Sequence, residues 1–165
     1  MDTEDFDARL SACDSISEIF ELVKEIIYDY LGEEQAGIMV GLSDLGKSPD
    51  GFVGAFYTPH SNMIIINQRI LEKIRQSNPG LIKPYLFHIL LHEYIHSIGV
   101  YDEVRARQIA YSVAEEIGNE TITKLSIDMA RYFSDLVRSG GLEMPEDTNV
   151  YFVKGIDRKN MSYIY

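Results

Sequence analysis

Cysteine is nearly missing from this sequence: Cys13 stands alone among 165 residues. One thiol excludes an intrachain disulfide framework and any cysteine-rich zinc site, and it suits a reducing compartment such as the cytoplasm. Basic charge is also short. Fifteen Lys and Arg face 26 Asp and Glu, for a formal net charge of −11. That balance argues against a nucleic-acid partner, which usually demands a basic patch. Only the mildly basic "RKNMSYIY" at 158–165 runs the other way. Long apolar runs are absent too. No window offers the roughly 18 apolar residues of a membrane span, and the acidic "MDTEDFDARL" start does not read as a signal peptide. There is no internal repeat and no low-complexity segment. What is present, 45% apolar residues, suffices for one domain with an ordinary core.

Ser15 with Glu18 forms a capping-box pattern. Ile16, Ile19, Phe20, Val23, Ile26, Ile27 and Tyr30 then keep helical spacing up to Gly32, which predicts a long amphipathic first helix. Three strands are predicted next, at 36–42, 51–58 and 62–67, the last two as a hairpin. Ile70, Leu71 and Ile74 suggest a short helix ended by "SNPG" at 77–80. A helix with Pro84 in its first turn runs to Gly99. Asp102 fits the N-cap of another, ending near Gly118. A further helix covers about 121–138 before Gly140-Gly141, and "VYFV" at 150–153 reads as a strand. The fold class is α+β. One domain spans 1–140, followed by a tail at 141–165 that packs on or near the cleft.

The chemistry is concentrated in "HEYIH", His92 to His96. On a helix, positions i and i+4 lie on one face, so His92 and His96 can present two imidazoles to one metal. Zinc suits imidazole, and a catalytic zinc keeps three protein ligands with an open fourth position. Glu93 follows the first histidine and reaches water at the metal as general base. The bland alternative is a polar face turned to solvent. It is weakened by the apolar helix around the motif, because charged side chains seldom bury without a partner or a metal. His88 extends the face to a stripe of three histidines. It reads as a residue lining the cleft or supporting the ligands.

The segment 51–117 resembles the zincin metallopeptidases, which carry H-E-x-x-H on a helix behind a strand at the rim of the cleft. The resemblance implies a zincin-like fold: an N-terminal helix, a small sheet of three or four strands, the motif helix and further helices. It also implies a peptide or protein substrate, held by strand addition to the sheet edge. The third ligand divides two branches. "HEYIHSIGVYD" is similar to the metzincin pattern with Asp102 in the ligand position, but its Met-turn has only Met129, Met144 and Met161 as weak candidates. "EVRARQIA" resembles the Glu-x-x-Ala helix of small gluzincins, with Glu103 as ligand. Glu103 shares one face with Ala106, Ala110, Val113, Ala114 and Ile117, and Asp102 is explained as a cap. The spacing therefore favours Glu103, with Asp102 second and Glu116 third.

Peptide hydrolysis also needs an oxyanion donor, for which His60, Tyr57, Tyr101 and Tyr111 are candidates. Tyr151, Phe152, Tyr163 and Tyr165 make the tail aromatic, so it either packs on the core or lies in the cleft and holds an enzyme latent. Cys13 reads as a buried, inert thiol rather than a cap on the metal. Two functions are consistent with the sequence. One is a zinc-dependent peptidase with water activated by the metal. The other is a non-catalytic zincin-like protein with a structural metal or a regulatory role.

Overall fold

The computed structural model describes residues 2–156. Among the described residues, eight α-helices accompany a four-stranded mixed sheet, so the protein is α+β. Helices α1 (Thr3–Ala12) and α2 (Ile16–Leu31) come first, then β1 (Met39–Ser43), β2 (Ala55–Thr58) and β3 (Met63–Asn67). Helices α3 (Gln68–Ser77), α4 (Ile82–Ser97), α5 (Glu103–Ile117) and α6 (Glu120–Ile127) follow. Two short helices, α7 (Met129–Tyr132) and α8 (Ser134–Arg138), lead to β4 (Tyr151–Phe152).

Helix α2 forms as its spacing requires. The Ser15 hydroxyl accepts from the Glu18 amide, and Gly32 ends the helix at φ +69°. Helix α1 has a cap, the Asp2 side chain accepting from the Asp5 amide at 2.8 Å, but little periodicity. Only Phe6 and Leu10 of "TEDFDARLSA" are buried, and that single i,i+4 pair among acids predicts no helix. Tertiary contacts supply the rest. Phe6 meets Phe87 edge-on at 5.0 Å, and Thr3 Oγ1 donates to the Ile117 carbonyl at 2.7 Å.

The sheet order is β2-β3-β1-β4. Strands β2 and β3 are antiparallel with Ala55 opposite Ile66, while β1 and β3 are parallel with Met39 opposite Met63. Asn67, fully buried at the end of β3, joins the loops around it. Its Oδ1 accepts from Leu45 N (3.1 Å) and Arg69 N (3.2 Å), and its Nδ2 donates to the Gly46 and Val53 carbonyls. Every polar atom of the amide therefore has a partner, as burial demands.

Two expectations change. The helix expected at 121–138 is three pieces, interrupted at Asp128 and Phe133. Asp128 leaves the helical conformation (φ −155°, ψ 86°) and caps α7 by accepting from Arg131 N. The break lets Phe133 turn inward against Tyr85 (5.5 Å) and Phe52 (6.3 Å). The tail through residue 156 joins the sheet: β4 pairs antiparallel with β1, on the edge opposite β2. Met161, Tyr163 and Tyr165 lie outside the described residues. None of the helices among the described residues is long and apolar enough to cross a membrane.

Candidate metal centre and cleft

Helix α4 is buried on nearly every side, between α2, α5, α6 and β2. Its C-terminus turns sharply at Gly99, at φ +107°, a left-handed conformation that favours glycine. The chain then reverses into α5. Asp102 occupies the N-cap with extended backbone, yet its side chain makes no capping hydrogen bond. The turn places Glu103, the first residue of α5, over the two histidines.

His92, His96 and Glu103 each offer one ligand atom, all within 4.8 Å of one another. Asp102 is not part of this group, and Glu116 is solvent-exposed far along α5. His96 Nδ1 donates to the Val100 carbonyl at 2.7 Å, which in a neutral imidazole leaves Nε2 as a bare acceptor. That nitrogen lies 2.7 Å from Glu103 Oε1 and 3.2 Å from His92 Nε2. The other Glu103 oxygen lies 3.2 Å from His92 Nε2. Two imidazoles and a carboxylate so directed concentrate lone pairs in one place, an arrangement that calls for a cation. The donor set suits zinc, which accepts nitrogen and carboxylate oxygen ligands.

Depth is where the expectation needs correction. The apolar stripe of α5 places Glu103 toward the interior, yet its side chain is 57% exposed. It sits at the mouth of the cleft, because α5 begins there and its buried stripe, starting with Ala106, lies further on. Burial works against the Glu103 charge, but the pull of the facing His96 and His92 rings outweighs it and holds its carboxyl below the usual range. Burial lowers the His92 pKa, against the pull of Glu103.

Glu93 stands apart from the three. It is 8% exposed, and burial pushes its carboxyl up to about 7, with His96 and the Tyr57 backbone amide acting to lower it and Glu103 to raise it. The Tyr57 amide faces Glu93 because β2 is an edge strand. Gly54 faces β3, where its carbonyl accepts from Asn67 N at 2.8 Å. Antiparallel alternation then turns the backbone groups of Ala55 and Tyr57 away from β3, toward the cleft.

The cleft holds about 390 Å³. One side is Gly54 and Ala55, the floor is His88, Ile89, His92 and Glu93, and α5, α6 and α7 close the rest. His88 lines this cleft, as expected, with Nδ1 3.3 Å from Ser126 Oγ. Burial, and then the neighbouring His92, lowers its pKa to about 4.

The oxyanion candidates fare unequally. His60 is exposed in the β2–β3 turn. The Tyr57 hydroxyl donates to Asn62 Oδ1 at 3.1 Å, and the Tyr111 hydroxyl engages Glu115. Tyr101 is 64% exposed. Arg107, not singled out from sequence, lines the cleft and approaches Glu103 at 3.7 Å. Its signal was its position one turn after Glu103. Ser126, Asp128 and Met129 also reach the cleft. Met129 does so from α7 rather than from a Met-turn, and Met144 is 67% exposed. Cys13 is buried, its thiol donating to the Arg9 carbonyl, and burial pushes its pKa up.

No protein-family model, no curated protein and no solved structure matches this chain.

Proposed function

We propose that the protein is a zinc-dependent peptidase of the gluzincin type. The observation that carries this reading is the convergence of His92, His96 and Glu103 beside a separate, buried Glu93. A structural zinc site is closed by four protein ligands. Here three donors converge among the described residues, and the third lies at an open cleft mouth. Zinc held there would supply Lewis acidity, polarising a carbonyl and making water more acidic. Glu93 takes the proton of the attacking water and returns it to the leaving amine. The outward backbone groups of Ala55 and the Tyr57 carbonyl hold the substrate chain as an added strand. Among the described residues, three acidic side chains, Glu93, Glu103 and Asp128, share the cleft with one cation, Arg107. The reading includes a peptide or protein substrate and a cytoplasmic setting, with which the lone thiol agrees.

The test pairs metal analysis with hydrolysis of casein. Glu93→Gln should keep stoichiometric zinc while the rate falls about 10²- to 10⁴-fold. Glu103→Ala should lose zinc, and Asp102→Ala should retain it. Hydrolysis that survives Glu93→Gln removes the general base. Zinc lost from Asp102→Ala but kept in Glu103→Ala moves the ligand by one residue and the protein to the metzincin branch. A zinc-loaded wild type that cleaves nothing favours a structural metal.

A further inference from the structure

His88 is 8% exposed and lines the cleft one helical turn before His92. The contacts of Ser126 favour one ring nitrogen as carrier of the proton, since the Ile122 carbonyl is the nearer of the two acceptors open to its hydroxyl hydrogen. Ser126 Oγ donates its single hydrogen to the Ile122 carbonyl at 2.9 Å. In the 3.3 Å contact with His88 Nδ1, Ser126 can then only accept, so Nδ1 is the donor. In a neutral imidazole this leaves Nε2 as a lone-pair acceptor. Nε2 has no protein hydrogen-bond partner among the described residues, and it is not one of the fully enclosed unpaired atoms. The ring's open side faces the cleft. Ile89, Ala110, Leu125 and Met129 give that space an apolar side, with the charged groups Glu93, Glu103, Arg107 and Asp128 elsewhere in the same cleft.

We propose that His88 is a specificity-determining residue, a neutral acceptor in an apolar pocket that selects a substrate side chain with an apolar stem and an uncharged hydrogen-bond donor at its tip. Tyrosine and glutamine have that form; phenylalanine and norleucine do not. At Nε2 itself a charged donor is disfavoured, since an ammonium would lose its hydration against a nearly buried imidazole, while Glu93, Glu103 and Asp128 offer it other partners in the cleft. A donor-tipped side chain pairs with Nε2, whereas an apolar one leaves that nitrogen dehydrated and unpaired. The inference rests on the peptidase reading for what enters the cleft, but its test does not need turnover.

The experiment uses the full chain carrying Glu93→Gln, loaded with zinc, and fluorescein-labelled peptides read by anisotropy. A single tyrosine or glutamine is moved through the peptide, each version paired with its phenylalanine or norleucine counterpart. At one position the donor member should bind about tenfold tighter. Adding His88→Leu should bring that ratio to about one with zinc content unchanged. Ser126→Ala provides the second variant should His88→Leu not fold. It frees the ring to carry its proton on either nitrogen, so the ratio should fall several-fold. No preference at any position, absence of binding included, overturns the proposal, as does a preference that survives both substitutions. The wild type is then given the preferred peptide. Preference without cleavage leaves the pocket standing and sinks the peptidase, and cleavage without preference does the reverse.

Discussion

Single residues show where spacing carries information and where it stops. His92, Glu93 and His96 were legible because a four-residue interval on a helix fixes a shared face. Glu103 was legible because it heads the apolar stripe of α5. Its 57% exposure was not, since periodicity gives a direction around the helix axis and no depth. The Asp102 position was legible, but its side chain makes no capping bond. Ser126 and Asp128 reach the cleft from α6 and the break after it, and no local pattern connects them to His88. Gly54 illustrates a requirement invisible in sequence. A Cβ there would lie 2.8 Å from the Tyr85 hydroxyl and 3.6 Å from Ile89 Cγ2, so glycine lets the chain entering β2 approach α4. The Tyr85 hydroxyl is fully buried without a partner among the described residues. Tyr85→Phe should therefore leave the melting temperature unchanged or raise it, because it removes an unpaired polar atom. Gly54→Ala should lower it in the wild type and lower it less beside Tyr85→Phe. Additive melting shifts in that double-mutant cycle would show that the collision is relieved elsewhere.

At the level of elements, the strongly periodic segments were the legible ones. Helices α2, α4 and α5 and the β2–β3 hairpin lie where spacing and breakers put them, with ends shifted by a few residues. Helix α1 was missed because its helicity depends on packing Phe6 and Leu10, and the 121–138 segment was over-read because its apolar residues continue across a cap. The link from α4 to α5 is the element on which the site depends. Only 98–102 separate the two helices, and Gly99 makes the reversal at φ +107° with open space where a Cβ would stand. The strain of a substitution there is thus in the backbone alone, at about 1–2 kcal/mol. If the chain relieves it by rotating Gly99, the start of α5 moves and Glu103 with it. Gly99→Ala should lower the melting temperature by roughly 3–6 °C and weaken zinc binding about tenfold or more in a chelator competition. Equal zinc affinity beside a lowered melting temperature would show that the turn does not control the ligand.

Across the whole molecule, the tail is tied by charge to α3 and to the loop after β1. Lys47 is fully buried and donates to the Val137 (2.9 Å) and Gly141 (3.0 Å) carbonyls, while its backbone and that of Glu143 exchange both hydrogen bonds. Glu143 also meets Arg69 at 3.0 Å and Lys73 at 2.9 Å, and Arg69 pairs with Asp44 at 2.6 Å. None of this was legible, because ion pairs between distant segments leave no periodic trace. It also changes the expected effect of the tail. The described part of it completes the sheet on the edge away from β2, so removing it after Gly140 should destabilise the protein before it could expose a cleft. The same network predicts an acid limb in stability. Hydrogen bonds from Arg69, aided by the Glu146 and Gly46 amides, hold the Asp44 pKa down at about 2. An unfolded aspartate titrates near about 3.9, so the unfolded chain binds the proton first. The Asp44 contribution is then complete above about pH 4 and is lost as the pH falls toward 2. Asp44→Asn should lower the melting temperature at pH 7 and flatten its decline between pH 5 and 2, read by circular dichroism across that range. Glu143, held low by Lys73 and Arg69, should retain part of the limb in that variant. A variant whose decline runs parallel to the wild type's would place the acid sensitivity outside the Asp44–Arg69 pair.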